Sequence, residues 1–522
     1  MQDYKRIFSQ EKKWLYISLC AVFLWGLAAH GYCFMQSSFN HDSLAEFNGV
    51  VFGNQLKLSL GRFVVPLYRN IFRTDLTLPW LIGVLALLWL GLTVFLLLRI
   101  FEIHSKIVAV LIAGVFTVNT AITATAASYL HDFDTDCFAI LCAVAAIYFW
   151  RKMPWGGVIG AVFVVGTLGI YQSNISVTIV LAMLVCILDL LDCQDCRRVF
   201  RNGLKAIGML LLGAVLYYTA LRVVTAVTGH GLATGNDNTL DRMGELTLCN
   251  VFSYIEGAYR DCWRRLTTVI SPYSGRLVRG GTVSLVGITL IAEVVFLLKK
   301  GIPLTSKLLC ICLVVLLPLG MNITYVLAAG AVHDLMAFSV WLFYIQALLF
   351  ACWLVRNLKN CQQKWMPKFV HKLPGLAAII LVFALVYGNV QIANMLYLKK
   401  DLESEAYFSL MTRILYDMER TDGYISGETP VVFVGQSKQI QTVPGTEKCE
   451  DIIGAWAPGP VIMGERSYYA AYFSYILVNP AVMAENSLWY PMLKDSRVAA
   501  MPVYPEEGSI AFLDNILVVR LG

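Results

Sequence analysis

The feature that most constrains this chain is a series of apolar runs, each about 20 residues long and almost free of charged side chains. An α-helix of that length crosses a hydrocarbon core of about 30 Å. Lipid offers no hydrogen-bond partners to open backbone groups, so the runs are expected to fold as membrane helices. Only 15% of the 522 residues are charged, against about 25% in soluble proteins. We therefore expect an α-helical polytopic membrane protein.

The apolar runs predict eleven spans with the N-terminus in the cytoplasm. They cover residues 14–33, 78–98, 107–128, 136–150, 155–171, 174–190, 206–226, 281–298, 308–329, 338–355 and 373–393. The loops assigned to the cytoplasm hold twenty Lys and Arg residues, and the opposite loops hold ten, as the positive-inside rule expects. These clusters are read as topology signals, so no nucleic-acid partner is expected. The first run lacks a small-residue cleavage site and is predicted to be a retained anchor.

Two outer loops, 34–77 and 229–280, are too long for simple connections, and long loops in compact proteins are usually functional. Each contains an apolar, basic stretch, Leu56–Phe72 in the first and Val251–Ile270 in the second. Arg62, Arg69 and Arg73 recur in the first stretch at near-helical spacing. This pattern predicts helices that lie in the membrane interface.

The C-terminal tail has a different character. It is charged and helical in pattern from Leu398 to Arg420, followed by an apolar strand pattern at Thr429–Gly435. Residues 510–521 read as a hairpin around Asp514-Asn515. We therefore predict a membrane domain over residues 1–395 and a small extracytoplasmic α/β domain over 396–522.

Three short polar clusters fall on the outer side under this topology. In the first, Asp42 follows the first span and could take a proton from an acceptor hydroxyl, or could merely cap a helix. The second runs from His131 to Asp136 and would be costly beside lipid unless it faces water or a ligand. There, Asp134 and Asp136 could hold a divalent cation such as Mg or Mn, or could form an acidic loop with an N-cap.

The third cluster, Tyr171-Gln172-Ser173-Asn174, could contact sugar hydroxyls or could be a plain tight turn. His131 is a further candidate for substrate contact. Candidate phosphate-binding cations are Arg62, Arg69, Arg222, Arg260, Arg264 and Arg265. Arg222 lies near the outer end of a span, where it either binds an anion or snorkels to ordinary phospholipid.

The segments Asn40-His41-Asp42-Ser43, Gly61-Arg62-Phe63, Phe133-Asp134 and Gly169 to Asn174 resemble the type II glucosyl transferases. These are membrane glucosyltransferases that modify bacterial O-antigen and other surface polysaccharides. The resemblance implies a GT-C-like bundle and a polyprenyl-phosphate-linked sugar donor. It also implies that Asp42 is the catalytic base, Asp134 a second essential carboxylate and Gln172 a sugar contact. The chain has His41 where the family often has an acid.

The functional hypothesis is transfer of a hexose, glucose by resemblance, from undecaprenyl phosphate to a cell-envelope glycan. The reaction would take place on the outer face of a bacterial cytoplasmic membrane. Nucleotide sugars are cytoplasmic, whereas every candidate residue faces the other side. Two alternatives remain open: a polysaccharide polymerase, ligase or other sugar transferase of similar architecture, and a flippase or transporter of lipid-linked sugars.

Overall fold

The computed structural model describes residues 2–36, 39–40, 43–44, 47, 53–192, 195–235, 245–247, 249–267, 275–360, 370–455 and 465–522. Within these residues, nine helices are long and apolar enough to cross a membrane. A tenth span results if one bent pair of helices is counted as a single crossing. The prediction of an α-helical polytopic membrane protein is confirmed.

Sixteen helices make up the part of the described chain that precedes the small sheet. They are α1 Gln2–Met35, α2 Gly53–Ser59, α3 Val64–Phe72, α4 Pro79–Ile100, α5 Lys106–Thr117, α6 Thr120–Ser128, α7 Phe133–Lys152, α8 Gly156–Ile170, α9 Ile175–Leu191, α10 Cys196–Thr228, α11 Val251–Thr267, α12 Gly275–Leu298, α13 Leu304–Met321, α14 Ile323–Leu327, α15 Leu342–Asn360 and α16 Leu373–Glu419. The first predicted interfacial stretch is helical but is divided into α2 and α3 by a turn at Gly61, whose φ is +75°. The described part of the second stretch is helix α11.

Two of the eleven predicted spans differ from simple crossings. The span predicted at 107–128 is the bent pair α5 and α6, which meet at 41°. The bend lies at Asn119, whose side chain accepts a hydrogen bond from the Ile122 amide and so starts a new helix. The span predicted at 155–171 is α8, whose 15 residues reach only about 22 Å.

The last long helix, α16, joins the membrane bundle to the C-terminal tail. Its 47 residues extend for about 70 Å, more than twice the thickness of a hydrocarbon core. The predicted domain boundary at residues 395 and 396 falls inside this helix. The tail therefore begins as a continuation of a membrane helix rather than after a flexible linker.

The tail carries a four-stranded sheet of order β2-β1-β4-β3, with strands β1 Pro430–Val434, β2 Val482–Met483, β3 Ile510–Leu513 and β4 Ile516–Arg520. β1 runs parallel to both β2 and β4, whereas β3 and β4 form an antiparallel hairpin. Asp514 and Asn515 have φ of 51° and 62°, as the two central residues of a type I′ turn require. The predicted strand at 429–435 and the predicted hairpin are both confirmed.

The tail packs directly on the end of α6, next to the acidic segment that follows it. A Cβ atom added at Gly454, whose φ is +84°, would lie 2.6 Å from the Ser128 amide nitrogen. The Ser43 hydroxyl donates a hydrogen bond of 2.8 Å to the carbonyl of the same Ser128. Lys400 of α16 donates to the Ala127 carbonyl. The first outer loop and the tail thus converge on one turn of the membrane bundle.

We expect Gly454→Ala to loosen this contact. The positive φ alone costs about 1–2 kcal/mol with a Cβ, and the added methyl would press on the Ser128 backbone. Gly445→Ala is a matched control, because Gly445 has φ of +85° but nothing within 4 Å of an added Cβ. Limited proteolysis of the tail should be faster in Gly454→Ala than in Gly445→Ala. Equal rates would mean that the contact at Ser128 does not hold the tail in place.

Candidate functional site

The centre of the candidate site is a buried carboxylate held by two cations. Asp132 lies in the short turn before α7, and its two oxygens lie 2.5 Å from Lys57 Nζ and 2.7 Å from Arg69 Nη2. The side chains of Lys57 and Arg69 are 2% and 1% exposed. Helices α2 and α3 supply one cation each, so this cluster fastens the first outer loop to the membrane bundle. His131 Nε2 lies 3.3 Å from the same carboxylate.

Asp134 is also fully engaged by a cation. Arg73 Nε donates to one Asp134 oxygen at 2.9 Å, and Arg73 Nη2 lies 3.3 Å from the other. The remaining N–H groups of Arg73 donate to the carbonyls of His131, Thr74 and Leu76. Neither side chain of this pair is exposed. Both Asp134 oxygens are therefore occupied, and the pair holds the end of α3 against the start of α7.

Asp136 differs from its two neighbours because its oxygens are available. It is half-buried and makes no hydrogen bond or ion pair with another residue in the described part of the chain. Its charged neighbours are Asp132, Arg62, Lys57 and His131. Among the three carboxylates of this segment, Asp136 is the one free to accept a proton or a ligand hydrogen bond.

Arg62 is a cation of this cluster that, like the carboxylate of Asp136, has groups available to bind a ligand. Its guanidinium carbon lies 4.6 Å from the centre of the Tyr171 ring, a cation–π contact that fixes the orientation of the side chain. Its Nε is buried and has no hydrogen-bond partner within the described ranges. Among the described residues, Arg62 lies in one cluster with Lys57, Arg69 and Arg73 and with the carboxylates of Asp132, Asp134 and Asp136. The unsatisfied N–H of Arg62 suits an anionic ligand group.

The turn at residues 171–174 holds the backbone that precedes Arg62. Gln172 Nε2 donates to the Leu60 carbonyl at 2.9 Å and lies 3.2 Å from the Tyr217 hydroxyl. Tyr217 in turn donates to the Gly61 carbonyl at 3.1 Å. The amide nitrogen of Gln172, a predicted sugar contact, is thus used to hold the backbone just before Arg62. Asn174 is buried beside it at the start of α9.

A second charged cluster involves α11 and the loop after α14. Asp261 accepts from Arg265 Nε at 2.7 Å and from Asn322 Nδ2 at 3.0 Å, and Arg265 Nη1 lies 2.5 Å from Asp334. Burial alone would raise the pKa of the Asp261 carboxyl, but the guanidinium groups of Arg265 and Arg264 and the Asn322 amide together outweigh it, so that pKa is below its ordinary value. Arg264, Arg265 and Asp334 line a cavity of about 460 Å³ that also reaches Asp451 of the tail.

The other predicted cations lie apart from these clusters. Arg222 is exposed on α10, and no ion pair joins it to another described residue. Arg260 is exposed and pairs with Glu256 one helical turn away. Neither the Arg222 nor the Arg260 side chain lies in a buried pocket that could bind a ligand.

Asp42, the predicted base, and His41 lie outside the described residues, so the role of Asp42 stays a prediction. The residues on either side are described. The Ser43 amide donates to the Asn40 side chain at 2.8 Å, and the Ser43 hydroxyl contacts Ser128, four residues before Asp132. Ser43 is therefore anchored beside the His131–Asp136 segment.

The predicted divalent cation has little support in the geometry. Asp134 and Asp136 both belong to α7, and residues two apart do not face each other on a helix. Asp134 already uses both oxygens on Arg73. No group of three His, Cys, Asp or Glu side chains in the described residues could hold a metal ion. The residues present do not fit a cation shared by this pair.

Four residues of the cluster were not singled out as functional from the sequence: Lys57, Arg73, Asp132 and Tyr217. One signal was present for two of them. Arg69 and Arg73 are four residues apart, which places two cations on one face of a helix, and Asp132 and Asp134 alternate in the acidic segment. Lys57 and Tyr217 had no comparable signal, because neither stands at helical or alternating spacing from another candidate residue.

The fold and the cluster together define a polytopic membrane protein with a buried, charged site at one end of its helical bundle. A family model, Glucosyl transferase GtrII, matches residues 31–354, which include every residue of the cluster. The chain belongs to this glucosyl transferase family. No curated protein matches the chain. The resemblance noted from the short motifs is confirmed at the level of the family.

Proposed function

We propose that this glycosyltransferase moves a hexose, glucose by family, from a polyprenyl-phosphate-linked donor to a cell-envelope glycan. The observation that carries the proposal is Arg62, an oriented guanidinium with a buried, unsatisfied N–H beside the available Asp136. A phosphate ester at the membrane surface supplies the anion that this arrangement lacks. The charge pattern of the loops supports an outer location for this end of the bundle. The family resemblance supports a bacterial cytoplasmic membrane as its place.

The reaction is a single displacement at the anomeric carbon of the sugar. A hydroxyl oxygen of the acceptor forms the new C–O bond while the bond between the anomeric carbon and the phosphate oxygen breaks. Asp42 takes the hydroxyl proton, and the polyprenyl phosphate leaves with the electron pair of the broken bond. Arg62 stabilises the charge on the departing phosphate. Attack from the face opposite the phosphate inverts the anomeric configuration.

The cluster divides these tasks between two sets of groups. Asp132 and Asp134 are saturated by Lys57, Arg69 and Arg73, and therefore position the loop rather than react. Asp136 remains available to accept a hydrogen bond from a hydroxyl of the donor sugar or of the acceptor. We infer that Asp136, more than Asp134, is the second carboxylate that contacts substrate.

The direct test is transfer of labelled hexose in proteoliposomes that contain the purified protein. Synthetic polyprenyl-phosphate glucose is the donor, and the matching mannose and N-acetylhexosamine lipids are compared with it. We expect the label to move to an added envelope glycan from the glucose lipid. Labelled lipid that crosses the bilayer unchanged, without transfer, would overturn the proposal in favour of a flippase.

Replacing Arg62 should weaken use of the donor. We expect Arg62→Gln to lower kcat/KM for the lipid-linked donor by about 10–100-fold, the loss typical of one hydrogen bond to a charged group. Arg62→Lys should retain part of the activity, because a point charge replaces the oriented fork. Arg260→Gln is the matched control, since it removes an exposed arginine from the other outer loop. Equal activity of Arg62→Gln and the control would show that Arg62 does not contribute to binding or use of the donor.

A further inference from the structure

A groove of about 750 Å³ lies at the end of the bundle opposite the candidate site. Helix α7 connects the two places, because Asp134 is in its first turn and Arg151 and Lys152 in its last. The rise of an α-helix puts about 27 Å between Asp134 and Lys152, close to the thickness of a hydrocarbon core. The groove therefore opens at the opposite membrane surface and is independent of the glycosyl-transfer site.

Three cations of the groove have no partner in the described part of the chain. Arg198, Arg201 and Lys205 are spaced three and four residues apart, so they share one face of α10. All three are exposed, and none makes a hydrogen bond or an ion pair with another described residue. By contrast, Arg151 pairs with Asp189 and Lys152 with Glu102 on the opposite wall. The α10 wall thus presents uncompensated positive charge to the groove.

The same face of α10 becomes apolar further along the helix. Gly208, Met209 and Leu212 continue the wall and also line the groove, so charge gives way to apolar surface along one line. A Cβ added at Gly208 would meet nothing within 4 Å, which leaves open space above this part of the wall. Trp155, which is 77% exposed, stands at the rim, where indole rings favour the boundary between lipid and water.

We propose that this groove binds an anionic membrane phospholipid, with its phosphate on Arg198, Arg201 and Lys205 and an acyl chain along Gly208 and Leu212. The positive-inside rule depends on the number of cations near a span and does not require them to share a face. Arg197 counts equally for topology but does not line the groove. The alignment of three unpaired cations with an apolar continuation matches an amphiphile, whereas a free phosphate would use only the charged half.

The experiment compares the phospholipid retained by the protein and its variants. Each is reconstituted in nanodiscs of phosphatidylcholine alone or of an equal mixture with phosphatidylglycerol, extracted gently, and examined by native mass spectrometry. We expect phosphatidylglycerol to be retained in preference to phosphatidylcholine. Each of Arg198→Gln, Arg201→Gln and Lys205→Gln should lower its retention about fivefold, whereas Arg197→Gln should leave it unchanged. An equal loss in Arg197→Gln would overturn the proposal in favour of general surface charge.

Two further arms test the apolar half and the source of the phosphate. A Cβ at residue 208 meets no neighbour within 4 Å, so Gly208→Leu should extend its side chain into the open space and reduce lipid retention, although leucine has the higher helix propensity. Unchanged retention in Gly208→Leu would contradict an acyl chain at this position. Added inorganic phosphate should not displace the lipid, and displacement would identify a free-phosphate site instead. Hexose transfer is measured separately, so failure here leaves the proposed function untouched.

Discussion

Asp132→Asn should destabilise the protein by about 3–5 kcal/mol, the range found when one partner of a buried ion pair is removed. The substitution removes the carboxylate that contacts the cations of both Lys57 and Arg69, whose side chains are 2% and 1% exposed. A lysine can lose its proton when it is buried, but an arginine cannot. Arg69 therefore stays charged after the loss of the Asp132 carboxylate, and we expect the first outer loop to loosen so that water can solvate the guanidinium.

Thermal unfolding in detergent, followed by tryptophan fluorescence, measures this effect. Glu256→Gln is a suitable control, because it removes one carboxylate from an exposed ion pair with Arg260, and such pairs contribute at most about 1 kcal/mol. A small additional loss in the double variant Asp132→Asn with Arg69→Met would show that the two residues act as one unit. A midpoint for Asp132→Asn that matches the control would mean that the cluster is not a stabilising element.

The transmembrane part of this fold is predictable because membrane crossing is encoded locally. An apolar run is sufficient to predict a membrane helix, since the helix makes all its backbone hydrogen bonds within the run and needs no distant partners. The same holds for the hairpin at Asp514-Asn515, where both residues tolerate the left-handed conformation that the turn requires. The bend at Asn119 was less visible, because a polar residue within an apolar run is also compatible with a continuous helix.

The arrangement of the site was harder to predict, because it depends on contacts between distant segments. His131 to Asp136 stood out as a costly group of carboxylates beside lipid. Its composition alone could not show that Arg73 occupies Asp134 while Asp136 stays available. That difference arises because residues two apart point to different sides of α7, and only one side meets α3.

Gln172 illustrates the same limit. A polar turn between two apolar helices predicts exposed hydrogen-bonding groups, and the family resemblance implied a sugar contact. The structure uses the Gln172 amide to hold Leu60, two residues before Arg62, from more than one hundred residues away. The pattern marked a polar turn, but only the tertiary contact shows that the Gln172 side chain holds the backbone just before Arg62.

Asp42→Asn should lower the rate of hexose transfer by about 10²–10⁴-fold, the usual contribution of a general base. Asparagine keeps the size of the side chain but cannot take the proton of the acceptor hydroxyl. Because the neighbouring Ser43 is tied to Ser128 by its hydroxyl, the backbone of the loop should stay in place. We therefore expect kcat to fall while KM for the lipid-linked donor and the thermal midpoint remain unchanged.

This outcome separates the base from the phosphate-binding group. Arg62→Gln acts on the donor and should raise its KM, whereas Asp42→Asn acts on the acceptor proton and should not. Asp75→Asn is the matched control, because Asp75 is an aspartate of the same outer loop. Its carboxylate accepts a hydrogen bond from the Asn54 side chain. If Asp42→Asn keeps the wild-type rate, the base must be another group. Asp136, the available acid beside Arg62, is then the residue to replace next, because a single displacement still requires a group that removes the acceptor proton.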